Sequence, residues 1–549
     1  MKTRSSLVVL GALFPVTSAV AEDWQTLFDG KNLAGWTTLI EKAPPGTDPD
    51  GHVVVRNGVI DMYANTPAEA KVPFGSLIHE RKFSRFVLKL ETEWGERKFS
   101  PRRDAIRDAG LLFHIADEPR TVFGWPESVE CQIQEGDTGD IMFLGTRGIT
   151  WLHPDPAHAP EGQGEPGMLP EDGGVPVITG QNSYVGRFPV ADKLKGWNTV
   201  ETLVQADETA VFKINGVIRS RLAAIRDAKG EPLTKGRIGV QLEGAEVRYR
   251  NIAIRELSEP LRAASLYASL SAVRGTANST LHLPVRNPGT AEVPAEIRIF
   301  GKDAASFRVE NPPSDPLKPG REMVLEIDFK PTGKAGRYSA GLQIGPEETG
   351  VFVILQGLAL DALEGENEPP LERVVHSLGI PLDVGGPALK LGTDAPVIGA
   401  SKPATTFRRA GDGPVKITPL ARFSPPGNYP FGWSAGGEDH AIGALEDSAK
   451  IPDAHQRLFP PLADGSHSVE FTPEADVFSL FIRPKDHAIG TDPARHPSKL
   501  AQPVRVFLVP ALQGRLIKDA LLVCFEEASN GDYQDSVFLV ENLAIAGPQ

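Results

Sequence analysis

Two short segments of the chain, 128–134 and 237–243, alternate polar and apolar residues. A β-strand turns successive side chains to opposite faces, so this alternation predicts two strands with one buried apolar face and one polar face each. If both strands lie in one concave sheet, their polar faces form an acidic, amide-lined groove suited to sugar hydroxyls. The polar positions are Glu130, Gln132, Gln134, Gln241 and Glu243.

The composition of the chain indicates a multidomain, all-β protein. Its 549 residues exceed what one hydrophobic core usually organises. The 55 glycines and 48 prolines, together with many short alternating segments, favour strands joined by frequent turns. The net charge of -14 argues against nucleic acid or an anionic membrane as the main partner.

The N-terminus has the pattern of a secretory signal peptide. Residues 1–4 are basic, residues 7–16 are mostly apolar, and Ala19-Val20-Ala21 is a small-x-small cleavage signal, so cleavage is expected before Glu22. We therefore expect export, to the periplasm or outside the cell. Elsewhere the sequence predicts no membrane span.

The two cysteines, Cys131 and Cys524, are expected to be separate buried thiols.

The pattern of strands and turns divides the mature chain into three domains and a linker. The first, 22–257, has strand patterns throughout and a basic segment at 97–107, which is either a solvated loop or a contact for an acidic sugar. Residues 262–360 predict an immunoglobulin-like sandwich. Residues 361–370 are acidic, end in two prolines and read as a linker. Residues 371–549 predict a third β-sandwich.

Seven short motifs follow one another in the first domain. They are LFDGKNLAGW at 27–36, NGVI at 57–60, AGLLFH at 109–114, ECQI at 130–133, WN at 197–198, NG at 215–216, and VQLEG at 240–244 with RNI at 250–252. In this order they resemble the 3-keto-disaccharide hydrolase family, whose members have a concanavalin-like jelly-roll sandwich. Ala109 replaces the family's Asn-Ser pair and His114 replaces its Arg, which points to a different substrate.

The resemblance implies cleavage of a glycoside whose sugar is oxidised at C3. A ketone at C3 acidifies the hydrogen on C2, and the enolate formed by its removal can expel the group on C1. Water can then add back. Such a site needs a general base, donors for the enolate oxygen and an acid for the leaving group.

The resemblance also suggests which residues perform these steps. Glu130 is the first choice for proton transfer, with His114 as a second proton-transfer group and Glu243 completing the catalytic set from the opposite wall. Substrate contacts are expected from Gln132, Gln241, Trp125, Asp137 and Asp140; Trp125 would stack on a sugar face, and the two aspartates lie in the loop after the first strand.

The sequence contains candidate ligands for a metal ion in the first and in the third domain. His114 and the carboxylates of the first domain are also a workable ligand set for a divalent metal, which would stabilise an enolate as a Lewis acid. In the third domain, residues 525–538 resemble the "FED…DYND" ending of secreted bacterial β-sandwich modules. There Asp532, Asp535 and Glu527 are candidate ligands for Ca²⁺, which favours oxygen ligands.

Three other functions remain open from the sequence. The first domain could bind carbohydrate without turnover, since a fold does not decide function. It could be an ordinary two-carboxylate glycosidase acting on unoxidised sugars. The protein could also serve adhesion, with the two C-terminal domains contacting polysaccharide or a cell surface.

Overall fold

A computed structural model describes residues 23–116, 121–122, 125–155, 164–180, 182–187, 191–276, 280–447, 453–485 and 487–546. The predicted signal peptide lies outside these residues. Strands dominate the described chain, which confirms the all-β prediction. No helix in the described part is long and apolar enough to cross a membrane.

The described residues of the N-terminal domain form twenty strands and the 3₁₀-helix Pro170–Asp172. The strands are β1 (Gln25–Thr26), β2 (Trp36–Ile40), β3 (Val53–Arg56), β4 (Val59–Met62), β5 (Gly75–Phe83), β6 (Arg85–Lys98), β7 (Asp108–Ile115), β8 (Thr121–Val122), β9 (Trp125–Pro126), β10 (Ser128–Gln134), β11 (Ile141–Leu144), β12 (Arg147–Leu152), β13 (Glu165–Gly167), β14 (Val175–Thr179), β15 (Tyr184–Arg187), β16 (Asn198–Gln205), β17 (Thr209–Ile214), β18 (Val217–Arg226), β19 (Gly236–Leu242) and β20 (Ala245–Glu256).

These strands form two packed layers. One runs in the order β2, β5, β19, β7, β10, β11, β15, and the other runs β17, β16, β6, β20, β4, β3. A single core of buried apolar residues, including Leu111, Cys131 and Val240 from the first layer and Leu88 and Ile254 from the second, lies between them. This is the predicted lectin-like jelly-roll sandwich.

The second domain is a smaller sandwich of two four-stranded sheets, ordered β21, β23, β26, β25 and β22, β28, β27, β24. A separate core fills the space between the sheets, as expected for an immunoglobulin-like module. The strands are β21 (Arg262–Ala263), β22 (Tyr267–Val273), β23 (Leu281–Arg286), β24 (Ile297–Phe300), β25 (Phe307–Val309), β26 (Glu322–Phe329), β27 (Gly336–Ile344) and β28 (Val351–Leu360); one 3₁₀-helix is Ala304–Ser306.

The third domain follows the 3₁₀-helix Gly365–Asn367 and the helix α1 (Leu371–Ser377). Its larger sheet has apolar clusters on both faces, one against a smaller sheet of β32, β31, β35 and β36 and one against α1. The strands are β29 (Phe407–Arg409), β30 (Val415–Phe423), β31 (Tyr429–Ala435), β32 (Glu438–Leu445), β33 (Gln456–Leu458), β34 (Val469–Phe471), β35 (Ser479–Ile482), β36 (Ile489–Gly490), β37 (Val504–Leu508), β38 (Ala511–Leu512), β39 (Arg515–Leu516), β40 (Ala520–Phe525), β41 (Ser536–Glu541) and β42 (Leu543–Ile545).

The cysteines agree with the expectation from their separation in sequence. Cys131 lies in β10 of the first domain and Cys524 in β40 of the third, and both are buried free thiols. Each contributes to the apolar core of its own domain.

Candidate active site

The two segments with alternating polarity become strands β10 and β19, and β7 lies between them. Antiparallel pairing sets Glu130 opposite Leu112 and Gln132 opposite Gly110, while Leu111 on β7 pairs with Val240 on β19. The apolar alternates of all three strands enter the core of the sandwich. The polar alternates therefore share the other face of the same layer.

Glu130 and Gln241 meet across the middle strand. The Gln241 amide Nε2 donates a hydrogen bond of 3.2 Å to Glu130 Oε2. The two side chains can approach because β7 has a glycine between them. A Cβ atom on Gly110 would lie 2.1 Å from Glu130 Oε1 and 2.6 Å from Gln241 Oε1. Glycine at this position is thus required by the contact between the two side chains.

Two more carboxylates lie beside this pair, held by one arginine. The Arg102 guanidinium donates to Glu243 Oε1 at 2.8 Å and to Asp108 Oδ2 at 2.7 Å. Gln134 Nε2 also donates to Asp108 Oδ2, at 2.9 Å. Arg102 pairs with two of the three carboxyl groups of the cluster, and among the described residues Glu130 forms no ion pair, so acidic groups are in excess.

This environment shifts the carboxyl groups toward their neutral forms. Burial, followed by the charges of Asp108 and Glu243, raises the pKa of Glu130 well above its ordinary value, against a smaller opposing effect of the Gln241 hydrogen bond. Burial and Asp108 likewise raise the pKa of Glu243, although Arg102 opposes the shift. A carboxyl group with a raised pKa is a stronger base when ionised, which suits proton transfer near neutral pH.

Several buried polar atoms around Glu130 have no hydrogen-bond partner within the described protein. These atoms comprise two acceptors, a hydroxyl and an indole N–H. A buried polar group without a partner costs about 1–3 kcal/mol, so their grouping favours a site completed by a polar ligand. The atoms are Gln241 Oε1, Asp108 Oδ1, Ser76 Oγ and Trp125 Nε1.

An apolar wall adjoins the polar cluster. Trp125 stacks on Phe74, with ring centroids 5.5 Å apart and planes 13° from parallel. Leu112, the residue opposite Glu130, belongs to the same apolar cluster as Trp125. Trp125 is only 8% exposed, so it lines the wall beside the acids rather than an open surface.

His114 is not brought into this cluster. A bulge in the pairing of β7 with β19 falls between Leu112 and Ile115, and His114 there has a φ of 58°. Consequently Ile115, and not His114, joins the apolar cluster of Leu112. The His114 ring packs on Phe113, its Nε2 donates to the Ala206 carbonyl at 2.9 Å, and burial lowers its pKa to about 4.

The other expected sugar contacts serve partly to build the turn after β10. Asp140 Oδ2 accepts a hydrogen bond from Tyr184 Oη at 3.0 Å, and Asp140 Oδ1 lies 3.3 Å from the Arg219 guanidinium. Asp137, in the same turn, is 1% exposed, and burial raises its pKa. Gln132 Oε1 accepts the backbone N–H of the next residue at 3.1 Å. These contacts stabilise the turn. The acidic cluster itself consists of Glu130, Asp108 and Glu243.

Sequence reasoning missed Asp108 and did not assign Arg102 to the acidic cluster. Asp108 lies two residues before Gly110, hence on the same strand face, which is a signal that the alternation could have provided. Arg102 belongs to the basic segment 97–107, which is folded into ion pairs rather than being a solvated loop. Arg97 pairs with Glu246 and Arg107 pairs with Glu135, at 2.7 Å and 2.9 Å.

A divalent metal does not fit the N-terminal cluster well. Within the described residues, Glu130, Asp108 and Glu243 are not among the sets of three ligand atoms that lie within 4.8 Å of one another. Arg102 already supplies positive charge between Asp108 and Glu243. His114, the expected nitrogen ligand, is turned to Ala206.

In the third domain, the described residues contain such a set, formed by Glu526, Asp532 and Asp535. Two of the expected ligands are therefore together, but Glu526 takes the place expected for Glu527. The Glu527 carboxylate instead accepts a hydrogen bond from Tyr429 Oη at 3.1 Å. Glu526 and Glu527 follow the end of strand β40 at Phe525, and their side chains point to different partners.

The fold places the N-terminal domain in the class of lectin-like jelly-roll domains, here with a buried acidic cluster on one sheet. Residues 23–255 match the model of the 3-keto-alpha-glucoside-1,2-lyase-like domain. The N-terminal domain thus belongs to this family, as its motifs indicated. The match extends over this domain alone and leaves the two C-terminal domains outside it.

Solved structures of low similarity cover less than half of the chain. A structure from Parabacteroides distasonis ATCC 8503, described as a proposed glycosyl hydrolase, is 19% identical, covers 43% of this chain and 94% of its own, and has a TM-score of 0.26. The carbohydrate-binding module CBM66 from Bacillus subtilis is 8% identical over 40% and 96%, with a TM-score of 0.24. Scores this low carry no argument about function. No curated protein matches the chain.

Proposed function

We propose that the N-terminal domain cleaves glycosides oxidised at C3. The observation that carries the proposal is the convergence of Glu130, from β10, with Gln241 and Glu243, from the end of β19, in one buried polar cluster. Family membership supports the same substrate class. Both carboxyl groups have a raised pKa, so one can be ionised as a base while the other stays protonated as an acid.

In this mechanism Glu130 takes the proton from C2 of the 3-keto sugar. The electron pair of the C–H bond forms an enolate with the C3 oxygen. The enolate then expels the C1 oxygen, and the departing group takes a proton from a carboxyl group of the cluster. Water adds across the resulting C1–C2 double bond, so the net reaction is hydrolysis to a 3-keto sugar and a free alcohol.

The remaining groups orient the substrate and set the charge. Gln241 holds Glu130 and has a buried acceptor oxygen to offer to a sugar hydroxyl. The indole N–H of Trp125 has no hydrogen-bond partner among the described residues and suits a developing oxyanion. Arg102 keeps Asp108 and Glu243 in place and limits the repulsion in the cluster.

The test is release of the alcohol from a 3-keto-glucoside by the full chain, with the unoxidised glucoside as a second substrate. Glu130→Gln should lower turnover by about 100-fold or more, since it removes the base. The matched control is Glu135→Gln, which alters a carboxylate of the next turn that pairs with Arg107. Cleavage of the unoxidised glucoside would favour the two-carboxylate glycosidase, and saturable binding without turnover would favour a carbohydrate-binding module.

Export is part of the same proposal. A 3-keto-glycoside hydrolase with a cleavable leader would meet its substrate in the periplasm or outside the cell. Mass spectrometry of the protein from fractionated cells should find an N-terminus at Glu22. An intact Met1 on cytoplasmic protein would contradict it.

A further inference from the structure

We propose that the third domain holds a calcium ion between Glu526, Asp532 and Asp535, at the loop that joins β40 to β41. One oxygen from each of these carboxylates lies within 4.8 Å of those of the other two. All three side chains are at most 3% exposed. The site lies outside the family-matched domain and does not depend on the function proposed for that domain.

The loop uses one oxygen of each carboxylate to fix its own shape. Glu526 Oε2 accepts the backbone N–H groups of Asp532 and Tyr533 at 2.8 Å and 3.2 Å. Asp532 Oδ2 accepts from Asn530 Nδ2 at 2.6 Å, and Asp535 Oδ2 accepts the Glu527 N–H at 2.5 Å. The carboxylates are thereby held in position before any ligand arrives.

The remaining oxygens are the independent sign of a ligand. Five buried oxygens in this loop have no hydrogen-bond partner among the described residues: Glu526 Oε1, Glu527 Oε2, Asn530 Oδ1, Asp532 Oδ1 and Gln534 Oε1. They belong to three carboxylates and two carboxamides, and among the described residues no nitrogen or sulfur ligand is grouped with the acidic set. Calcium takes six to eight oxygen ligands of these types, whereas zinc prefers nitrogen and sulfur.

The charge of the loop points to a cation as well. In the described part of the chain, Glu526, Asp532 and Asp535 form no ion pair with a lysine, arginine or histidine. The nearby Arg505 donates to the carbonyls of Ala395 and Pro396 at 2.6 Å and 3.0 Å. Three buried carboxylates without a protein cation are costly unless an ion neutralises them.

Calcium titration of the EDTA-treated full chain tests the proposal. The wild type should show one saturable binding event by calorimetry and a higher melting temperature with calcium. Asp532→Asn and Glu526→Gln should weaken calcium binding at least tenfold, because each removes a charged ligand. Glu541→Gln is the matched control and should bind as the wild type does, since Glu541 lies outside the loop and its carboxylate pairs with Lys416 at 3.4 Å.

Terbium luminescence separates loss of the site from loss of folding. Tyr533 directly follows the proposed ligand Asp532 in the chain. Its ring should sensitise the luminescence of bound terbium, and added calcium should displace the terbium and reduce the emission. In EDTA the two amide variants should be at least as stable as the wild type, because repulsion is reduced. The proposal is overturned if the wild type binds no calcium up to about 10 mM, beyond the range of extracellular modules, or if Asp532→Asn and Glu526→Gln bind calcium as tightly as the wild type.

Discussion

The side chain of Gln241 donates a hydrogen bond of 3.2 Å to Glu130, although 111 positions separate them in the chain. The contact spans the strand β7 and passes over Gly110, where no side chain intervenes. It ties the two polar strand faces into one cluster and gives Glu130 a fixed orientation.

Gly110→Ala should separate Glu130 from Gln241. The new methyl group would lie 2.1 Å from Glu130 Oε1, so the carboxylate must move. We expect a loss of about 1–3 kcal/mol in the free energy of unfolding and a marked fall in kcat/KM. Gly180→Ala is the control, because a Cβ there has no atom within 4 Å. Unchanged activity in Gly110→Ala would contradict the assigned role of the contact.

Arg102→Met should destabilise the domain and impair the site. It leaves Glu243 and Asp108 without their shared partner, which costs about 1–3 kcal/mol for buried acceptors of this kind. Denaturant unfolding measures the loss. Arg103→Met provides the comparison, since Arg103 pairs with the exposed Glu69 and should change stability by less than about 1 kcal/mol. Equal effects of the two substitutions would argue against the role given to Arg102.

Glu130 should make the protein less stable as pH rises through the weakly acidic range. Its pKa in the folded state is raised, so the folded protein binds this proton more tightly than the unfolded chain. The stabilising contribution of Glu130 is fully present below about pH 4.3, the pKa of glutamate in the unfolded chain. It is lost as the pH rises toward the pKa of Glu130 in the folded protein. Glu130→Gln should reduce this slope in a series of unfolding curves. An identical slope in both proteins would rule out the shift.

His114 should affect stability but not the chemistry. Its pKa is lowered to about 4, so its contribution is present above the unfolded pKa of about 6.5 and is lost as pH falls toward 4. His114→Phe keeps the ring packing but loses the hydrogen bond to Ala206, costing about 1 kcal/mol at pH 7.5. The stability gap should narrow at pH 5, and the pH profile of kcat should stay unchanged. Loss of one arm of that profile would assign His114 to catalysis.

The sequence by itself determined the all-β fold, the family of the first domain and the faces of its key strands. Alternation decides which side of a strand is polar, because successive side chains point in opposite directions. It therefore identified Glu130 and Gln241 before any pairing was known. The same reasoning failed at His114, where a bulge shifts the alternation by one residue.

Only the tertiary structure decided which polar groups meet. Strand order is set by long-range pairing, and no local pattern states that β7 separates β10 from β19. For the same reason the sequence did not reveal that Arg102 would pair with Glu243, 141 positions away. In the third domain, the choice of Glu526 over Glu527 depends on how the chain turns after β40, which fixes the direction of each side chain.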